Sequence, residues 1–239
     1  MDLKSAYEKQ KEVISSMNFR HEWKHRINYC DLLCLRQRLR PLMSADPHAP
    51  EGAYRVRSLY FDNLEDKALR EKLDGVSRRE KFRLRMYNCD AALINLEKKS
   101  KLGGLCAKEI CRLSHEELKA AMHGDPSALT ASEKPLVREL GHKMLTEGLM
   151  PRTVVDYVRE PFVYAPGNVR VTLDYDLRTA LSPAVFLDPG CVHLDPPDSA
   201  IILEVKWDEF LPDIIRDAVQ VPSAHTAPYS KYAVCRAFG

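Results

Sequence analysis

Lys81-Phe82-Arg83-Leu84-Arg85-Met86-Tyr87 alternates cations with apolar residues. As a β-strand it places Lys81, Arg83, Arg85 and Tyr87 on one face and Phe82, Leu84 and Met86 on the other. Three adjacent cations repel one another, so such a face is favoured only where an anion lies alongside. The same parity recurs along the chain. Glu22, Lys24 and Arg26 share a face in Arg20–Arg26, as do Glu97 and Lys99 in Leu93–Lys99. Tyr157 and Arg159 share one in Val154–Arg159, Arg170, Thr172 and Asp174 in Val169–Asp174, and Glu204 and Lys206 in Ile201–Lys206. Six strand-like segments thus carry charge on a single face. A closed sheet whose inside holds a polyanion, in place of a hydrocarbon core, needs strands of this kind.

The bulk properties are permissive. At 239 residues, with 45% hydrophobic content, the chain can form one large all-β or α+β domain with a sizeable core. A net charge of +2 is too mild to indicate nucleic-acid binding. The distribution matters more. The shared faces, counted with Lys231, carry ten cations (Lys24, Arg26, Lys81, Arg83, Arg85, Lys99, Arg159, Arg170, Lys206 and Lys231) against four acids (Glu22, Glu97, Asp174 and Glu204). The local surplus is three times the whole-chain value, so the expected ligand is an anion. The seven cysteines form no CxxC motif and follow no secretory signal, which reads as reduced thiols in a cytoplasmic protein. No apolar run approaches the ~20 residues of a membrane span.

Residues 1–18 read as a polar, helical lead-in and 19–239 as a single domain. Asp31–Leu42 has the apolar spacing of an amphipathic helix. Asn63 is placed to cap a short helix ending near Gly75. Arg79–Tyr87 and Ala92–Lys99 read as a hairpin closed by Asn-Cys-Asp, followed by a turn at Leu102-Gly103-Gly104 and a strand over Ala107–Leu113. Ser114 and Glu117 form a capping box for a helix to Met122. Ser132–Thr146 is a further helix with Pro135 in its first turn, and Pro212–Val219 another. Trp23 and Phe82 alternate against the charges and are expected on the outside, against helices.

Arg20-His-Glu22-Trp-Lys24-His, Ser58-Leu-Tyr-Phe-Asp62, Arg83-Leu-Arg85, Glu97-Lys-Lys99, Tyr157-Val-Arg159, Arg170-Val-Thr-Leu-Asp174, Leu203-Glu204-Val-Lys206 and Ser230-Lys231-Tyr232 occur in the order of a known family. The chain resembles the VTC domain from about Phe19 to Tyr232. That is the polyphosphate polymerase domain of the vacuolar transporter chaperone complex, a branch of the triphosphate tunnel metalloenzymes. The resemblance implies an α+β fold, a closed antiparallel β-barrel of about eight strands with helices outside and a phosphate chain along its axis. It implies transfer of the ATP γ-phosphate to a growing inorganic polyphosphate chain, with Mn2+ or Mg2+.

By the same resemblance, Lys24, Arg83, Arg85, Lys99, Arg159 and Arg170 line the tunnel and grip phosphates. Arg26, Lys81, Lys206, Ser230 and Lys231 add to phosphate binding, with Lys81 nearer the mouth. The residue types suit the chemistry, since Arg forks hold phosphate oxygens in fixed geometry and Lys acts as a point charge. Magnesium and manganese are commonly held by one or two carboxylates plus substrate phosphates. Glu204 matches the family's metal-binding glutamate. Glu22 and Glu97 are expected either to ligate metal or to orient cations.

Related tunnel hydrolases carry Glu-x-Glu-x-Lys on the first strand. Arg20 replaces the first Glu here, which argues against a pure hydrolase. The alternatives are a tunnel triphosphatase and a non-catalytic polyphosphate-binding module. Ala227-Pro228-Tyr229 stands where family polymerases tend to carry another basic residue. Lys98 and Lys101 read as an exposed charge run, Lys108 and Arg112 are balanced between tunnel and solvent, and Asp62 reads as a cap. Asp174 is balanced between orienting Arg170 and serving the metal. Exported product would require a separate membrane partner protein.

Overall fold

The computed structural model describes residues 20–102, 105–191, 193–226 and 229–238. The helical lead-in at 1–18, the Gly103-Gly104 turn and Ala227-Pro228 lie outside the described residues. The strands are β1 (His21–Ile27), β2 (Ser44–Ala45), β3 (Tyr54–Asp62), β4 (Arg78–Tyr87), β5 (Asn95–Leu102), β6 (Leu105–Arg112), β7 (Met150–Tyr164), β8 (Val169–Ala180), β9 (Ile201–Trp207) and β10 (His225–Thr226). The helices are α1 (Tyr29–Leu39), α2 (Lys67–Leu73), α3 (His115–His123), α4 (Ser127–Thr130), α5 (Pro135–Glu147), α6 (Asp213–Ala218) and α7 (Lys231–Phe238).

All strands join one antiparallel sheet in the order β10-β1-β9-β8-β7-β3-β4-β5-β6, with β2 added to β7. Eight of them are long. The sheet is curled but open, which corrects the expected closed barrel. Among the described residues no backbone ladder joins β6 to β10 or β1. Two local features account for the open edges. The free side of β1 is taken by β10 at His25 and Arg26, and β6 presents the exposed charges Lys108, Glu109 and Arg112, which discourage edge pairing.

Curvature comes from register shifts between Asp156 and Val158 on β7 and between Tyr60 and Phe61 on β3. Such bulges bend a strand and increase its twist. Directly opposed residues of an antiparallel pair share a face, so the ladders carry the parity around the sheet. Arg83 faces Tyr60 and Glu97, Arg159 faces Asp174 and Tyr54, and Thr172 faces Glu204, which in turn faces Lys24.

The alternate residues fill the convex side. Leu59, Phe82, Leu84 and Leu96 pack beneath Leu118, Val137 and Leu140 of α3 and α5. Val171, Leu173, Leu203 and Val205 pack beneath Leu32, Leu35 and Ile215 of α1 and α6. Trp23 points outward as expected but stays 39% exposed, its ring edge-on to Trp207 at 4.7 Å. A third cluster lies on the concave side, where Tyr232 and Cys235 of α7 pack on Tyr60, Tyr157 and Leu177. Helix α7 therefore floors part of the groove.

Local signals set the boundaries. Asn28 caps α1 in a box with Asp31, so the helix starts earlier than the apolar spacing indicates. Ser114 and Glu117 cap α3 as expected, and Pro135 opens α5. Asp62 accepts the backbone N–H groups of Asn63, Ala68 and Leu69, which makes it a cap for the chain entering α2. Cys30, Cys34, Cys89, Cys111, Cys191 and Cys235 are free thiols. No described helix is long and apolar enough to cross a membrane.

Candidate functional site

The concave face gathers the charged positions of β1, β9, β8, β7, β3, β4 and β5 into one groove. Three buried carboxylates organise it. On β8, Asp174 is fully buried and accepts two hydrogen bonds from Arg159, from Nε to Oδ1 and from Nη2 to Oδ2, each 2.7 Å. Its Oδ2 also accepts Lys231 Nζ of α7 at 2.7 Å. Burial opposes its ionisation, but Arg159 and Lys231 outweigh that and hold the carboxyl below its usual range. Asp174 thus orients Arg159. Arg170 is held instead by Asp46 Oδ2 at 2.8 Å and donates to the Tyr54 hydroxyl at 3.0 Å.

On β5, Glu97 is 2% exposed and serves three cations. Arg83 Nη2 lies at 2.6 Å, Arg85 Nη1 at 3.6 Å and Lys108 Nζ at 2.8 Å. Burial works against the carboxylate, yet Arg85, Arg83 and Lys108 pull it down to about 2. The Lys108 position on β6 is therefore part of the groove. Arg83 also donates to the Tyr60 hydroxyl at 2.7 Å, and Arg85 donates to Ser58 at 3.1 Å. Burial raises the Tyr60 phenol, but Arg83, Lys81 and Arg85 outweigh it and bring it down to about 7.

Between β9 and β1, Glu204 Oε2 lies 3.2 Å from Lys24 Nζ, while Glu204 Oε1 pairs with Lys206. Lys24 also pairs with Glu22. Its ammonium is therefore straddled by two carboxylates, and although burial lowers its pKa, Glu204 and Glu22 hold it above the usual lysine value. Burial likewise opposes ionisation of Glu204, and Lys24, Lys206, Arg159 and Lys231 hold it well below the carboxylate range.

Glu22 Oε1 and Glu204 Oε2 converge on the same ammonium, Lys24 Nζ. Two carboxylates on adjacent strands that already converge on one cation fit a hard divalent ion that takes its remaining ligands from phosphates and water. Among the described residues no group of three or more His, Cys, Asp or Glu could hold a metal alone. Glu97 accordingly does not join Glu22 and Glu204 in one cluster.

The remaining positions scatter. Lys99 lies 3.9 Å from Glu22 and Lys81 stands over the Tyr60 ring at 5.6 Å. Arg26 sits at the rim, paired with Asp198 at 2.9 Å and over the Tyr229 ring. The Ser230 hydroxyl accepts the Ala233 N–H, at the start of α7. Lys98 is not exposed as expected. It lies on the convex side and pairs with Glu139 at 2.5 Å. Arg20 pairs with Asp208 at 2.8 Å.

Reading by parity misses Asp46 and assigns Tyr60 no role. Asp46 lies in a loop, where no periodicity operates. Tyr60 shares its face with the β4 cations across the β3–β4 ladder, so its strand position was the available signal.

The VTC domain family model matches residues 19–238. No curated protein matches the chain. Among solved structures, the chain is similar to the PH1012 protein of Pyrococcus horikoshii OT3, at 11% identity over 90% of this chain and 98% of that one, with a TM-score of 0.48. It is similar to a conserved hypothetical protein of Pyrococcus furiosus, at 10% identity over 90% and 99%, TM-score 0.45. It is also similar to the RNA triphosphatase domain of the mimivirus mRNA capping enzyme, at 10% identity over 92% and 98%, TM-score 0.41.

Proposed function

The chain belongs to the VTC domain family, and from that premise we propose that it is a metal-dependent polyphosphate polymerase. In this reading it moves the γ-phosphate of ATP to the end of an inorganic polyphosphate chain. The observation that carries the reading is the convergence of Lys24, Arg83, Arg85, Lys108, Arg159, Arg170, Lys206 and Lys231 on one groove, where four acids (Glu22, Glu97, Asp174 and Glu204) and Asp46 hold them in place.

Phosphoryl transfer relies chiefly on positioning and on neutralising a charge spread over phosphate oxygens. Arg83 and Arg159 offer guanidinium forks already fixed by Glu97 and Asp174, so little side-chain entropy is lost when phosphate binds. Lys24, Lys206 and Lys231 supply compact charges close to Glu204. Glu204 and Glu22 would hold a manganese or magnesium ion, which when bound would neutralise charge on the bridging and terminal phosphate oxygens. A terminal oxygen of the acceptor chain forms the new bond to the γ-phosphorus as the bond to the β–γ bridging oxygen breaks, and ADP leaves. The product is longer by one phosphate. Lys81, Lys99, Arg26 and Ser230 are assigned to holding the chain on either side of the reacting phosphates.

Incubating the purified protein with ATP and manganese and resolving the products on a gel tests this. A ladder of long chains is the expected result. Released orthophosphate alone would assign the groove to a triphosphatase, and tight polyphosphate binding with no turnover would assign it to a binding module.

A further inference from the structure

Thr172 stands on the groove face of β8, between Arg170 and Asp174 in the alternation. It is 3% exposed, and among the described residues its hydroxyl has no hydrogen-bond partner. Burying a hydroxyl without a partner is unfavourable, and native structures keep few of them. A β-branched side chain suits a strand, but valine would serve that purpose without a polar atom to satisfy. Arg170 Nε also lacks a partner, yet the rest of that guanidinium is held by Asp46 and Tyr54. Thr172 has one polar side-chain atom, and nothing holds it.

The ladders limit what it can reach. Pro161 on β7 directly opposes Thr172 on one side and carries no polar side chain. Glu204 on β9 directly opposes it on the other. Side chains so placed have Cβ atoms about 5 Å apart, close enough for a hydrogen bond to a Glu carboxylate. Asp174, the acid two positions along β8, is filled by Arg159 and Lys231. Both oxygens of Glu204 are filled as well, Oε1 by Lys206 and Oε2 by Lys24.

One of those partners is in the way of a metal. Glu22 and Glu204 converge on the Lys24 ammonium. A divalent ion shared by the two carboxylates displaces that ammonium, because two cations between the same oxygens repel strongly. Glu204 then loses the hydrogen bond from Lys24 while only 6% exposed, where water is a poor substitute. Thr172 lies directly opposite with an unused donor. Rotation about its Cα–Cβ bond re-aims the hydroxyl without moving the strand.

We propose that Thr172 is the positioning residue of Glu204 in the metal-bound protein, its hydroxyl donating a hydrogen bond to the Glu204 carboxylate once Lys24 is displaced. The proposal rests on the metal site described above and names the group that fixes its more buried carboxylate.

The test compares the affinity of the full chain for β,γ-methylene ATP without metal and as its Mn2+ complex. Thr172→Val, nearly the same shape, should lose about tenfold for the Mn2+ complex, the lower end of what losing a support of a metal ligand costs. Its metal-free affinity should not change. Thr172→Ser should keep both affinities. Thr153→Val removes another buried hydroxyl without a partner, opposite Tyr60, and should alter neither. In metal-free urea unfolding Thr172→Val should be at least as stable as the wild type, since it removes an unsatisfied donor. Lower metal-free stability would make the hydroxyl structural and overturn the proposal. Wild-type affinity of Thr172→Val for the Mn2+ complex would also overturn it. So would an equal loss with and without metal, which would put the hydroxyl on phosphate. Glu204→Gln separates the two readings. If that variant binds the Mn2+ complex as well as the wild type, the metal site itself fails, and if it alone loses affinity, only the role of Thr172 does.

Discussion

Lys99 Nζ on β5 lies 3.9 Å from Glu22 Oε2 on β1, although β9, β8, β7, β3 and β4 separate the two strands in the sheet. The two arms of the open sheet therefore face each other through side chains. An ion pair this long and partly exposed contributes little by itself and is screened by salt. A bridging polyanion would bind cations on both arms at once. Hydrogen exchange at β1 and β5 should slow on adding tripolyphosphate, and unchanged exchange would mean that the ligand does not join the arms.

Glu204→Gln keeps the shape of a side chain held by Lys24 and Lys206 but removes its charge. Manganese-dependent turnover should fall by at least about a hundredfold, the upper end of what losing a supporting group alone costs. Polyphosphate binding should remain largely intact. Wild-type turnover in this variant would remove Glu204 from the metal role.

Arg83→Ala and Arg85→Ala each delete a cation beside Glu97. We expect each to weaken tripolyphosphate binding by about tenfold at low salt, as for one lost charge-assisted hydrogen bond. The difference should shrink as salt rises. Wild-type binding by both variants would show that β4 does not contact the ligand.

Asp174→Asn leaves Arg159 and Lys231 facing each other over a neutral amide. Breaking a buried charge cluster in this way should destabilise the fold by about 3 kcal/mol, read by urea unfolding. Tripolyphosphate should restore part of the loss, because an added anion takes over the neutralising role. An equal loss with and without the anion would place this cluster outside the binding site.

Acid should unfold the protein partly through Glu97. Its folded-state pKa of about 2 lies below the usual value of 4.5, so the ionised form is the one stabilised by folding. That contribution is fully present above about pH 4.5 and is lost as pH falls towards 2. Glu97→Gln should lower stability at neutral pH and flatten the stability profile between these limits. An unchanged slope would assign the acid sensitivity to other carboxylates.

Much of the groove was legible because alternation is local. Arg83, Arg85, Glu97, Arg159, Asp174, Lys24 and Glu204 share a face by parity alone, and the ladders join those faces. Capping was equally local, as Ser114 with Glu117 illustrates. Helix α7 was not legible. Its single buried turn, Tyr232 and Cys235, acquires meaning only against Tyr60 and Tyr157, which lie far away in the chain. Asp46 was hidden for the same reason, since its partner Arg170 is supplied by a different part of the chain.

By itself the sequence determined which residues could point inward and that most of them would be cationic, because a strand's side chains alternate whatever surrounds it. Only the tertiary structure decided how those charges are matched. The curl of the sheet places Glu97 among Arg83, Arg85 and Lys108, Asp174 between Arg159 and Lys231, and Lys24 between Glu22 and Glu204. It also sets Lys81 opposite Lys99 and Arg79 opposite Lys101 across the β4–β5 ladder. Coulomb interactions depend on distances between strands and helices remote in sequence, and those distances are set by the sheet's bulges, its open edges and the helix laid across its floor.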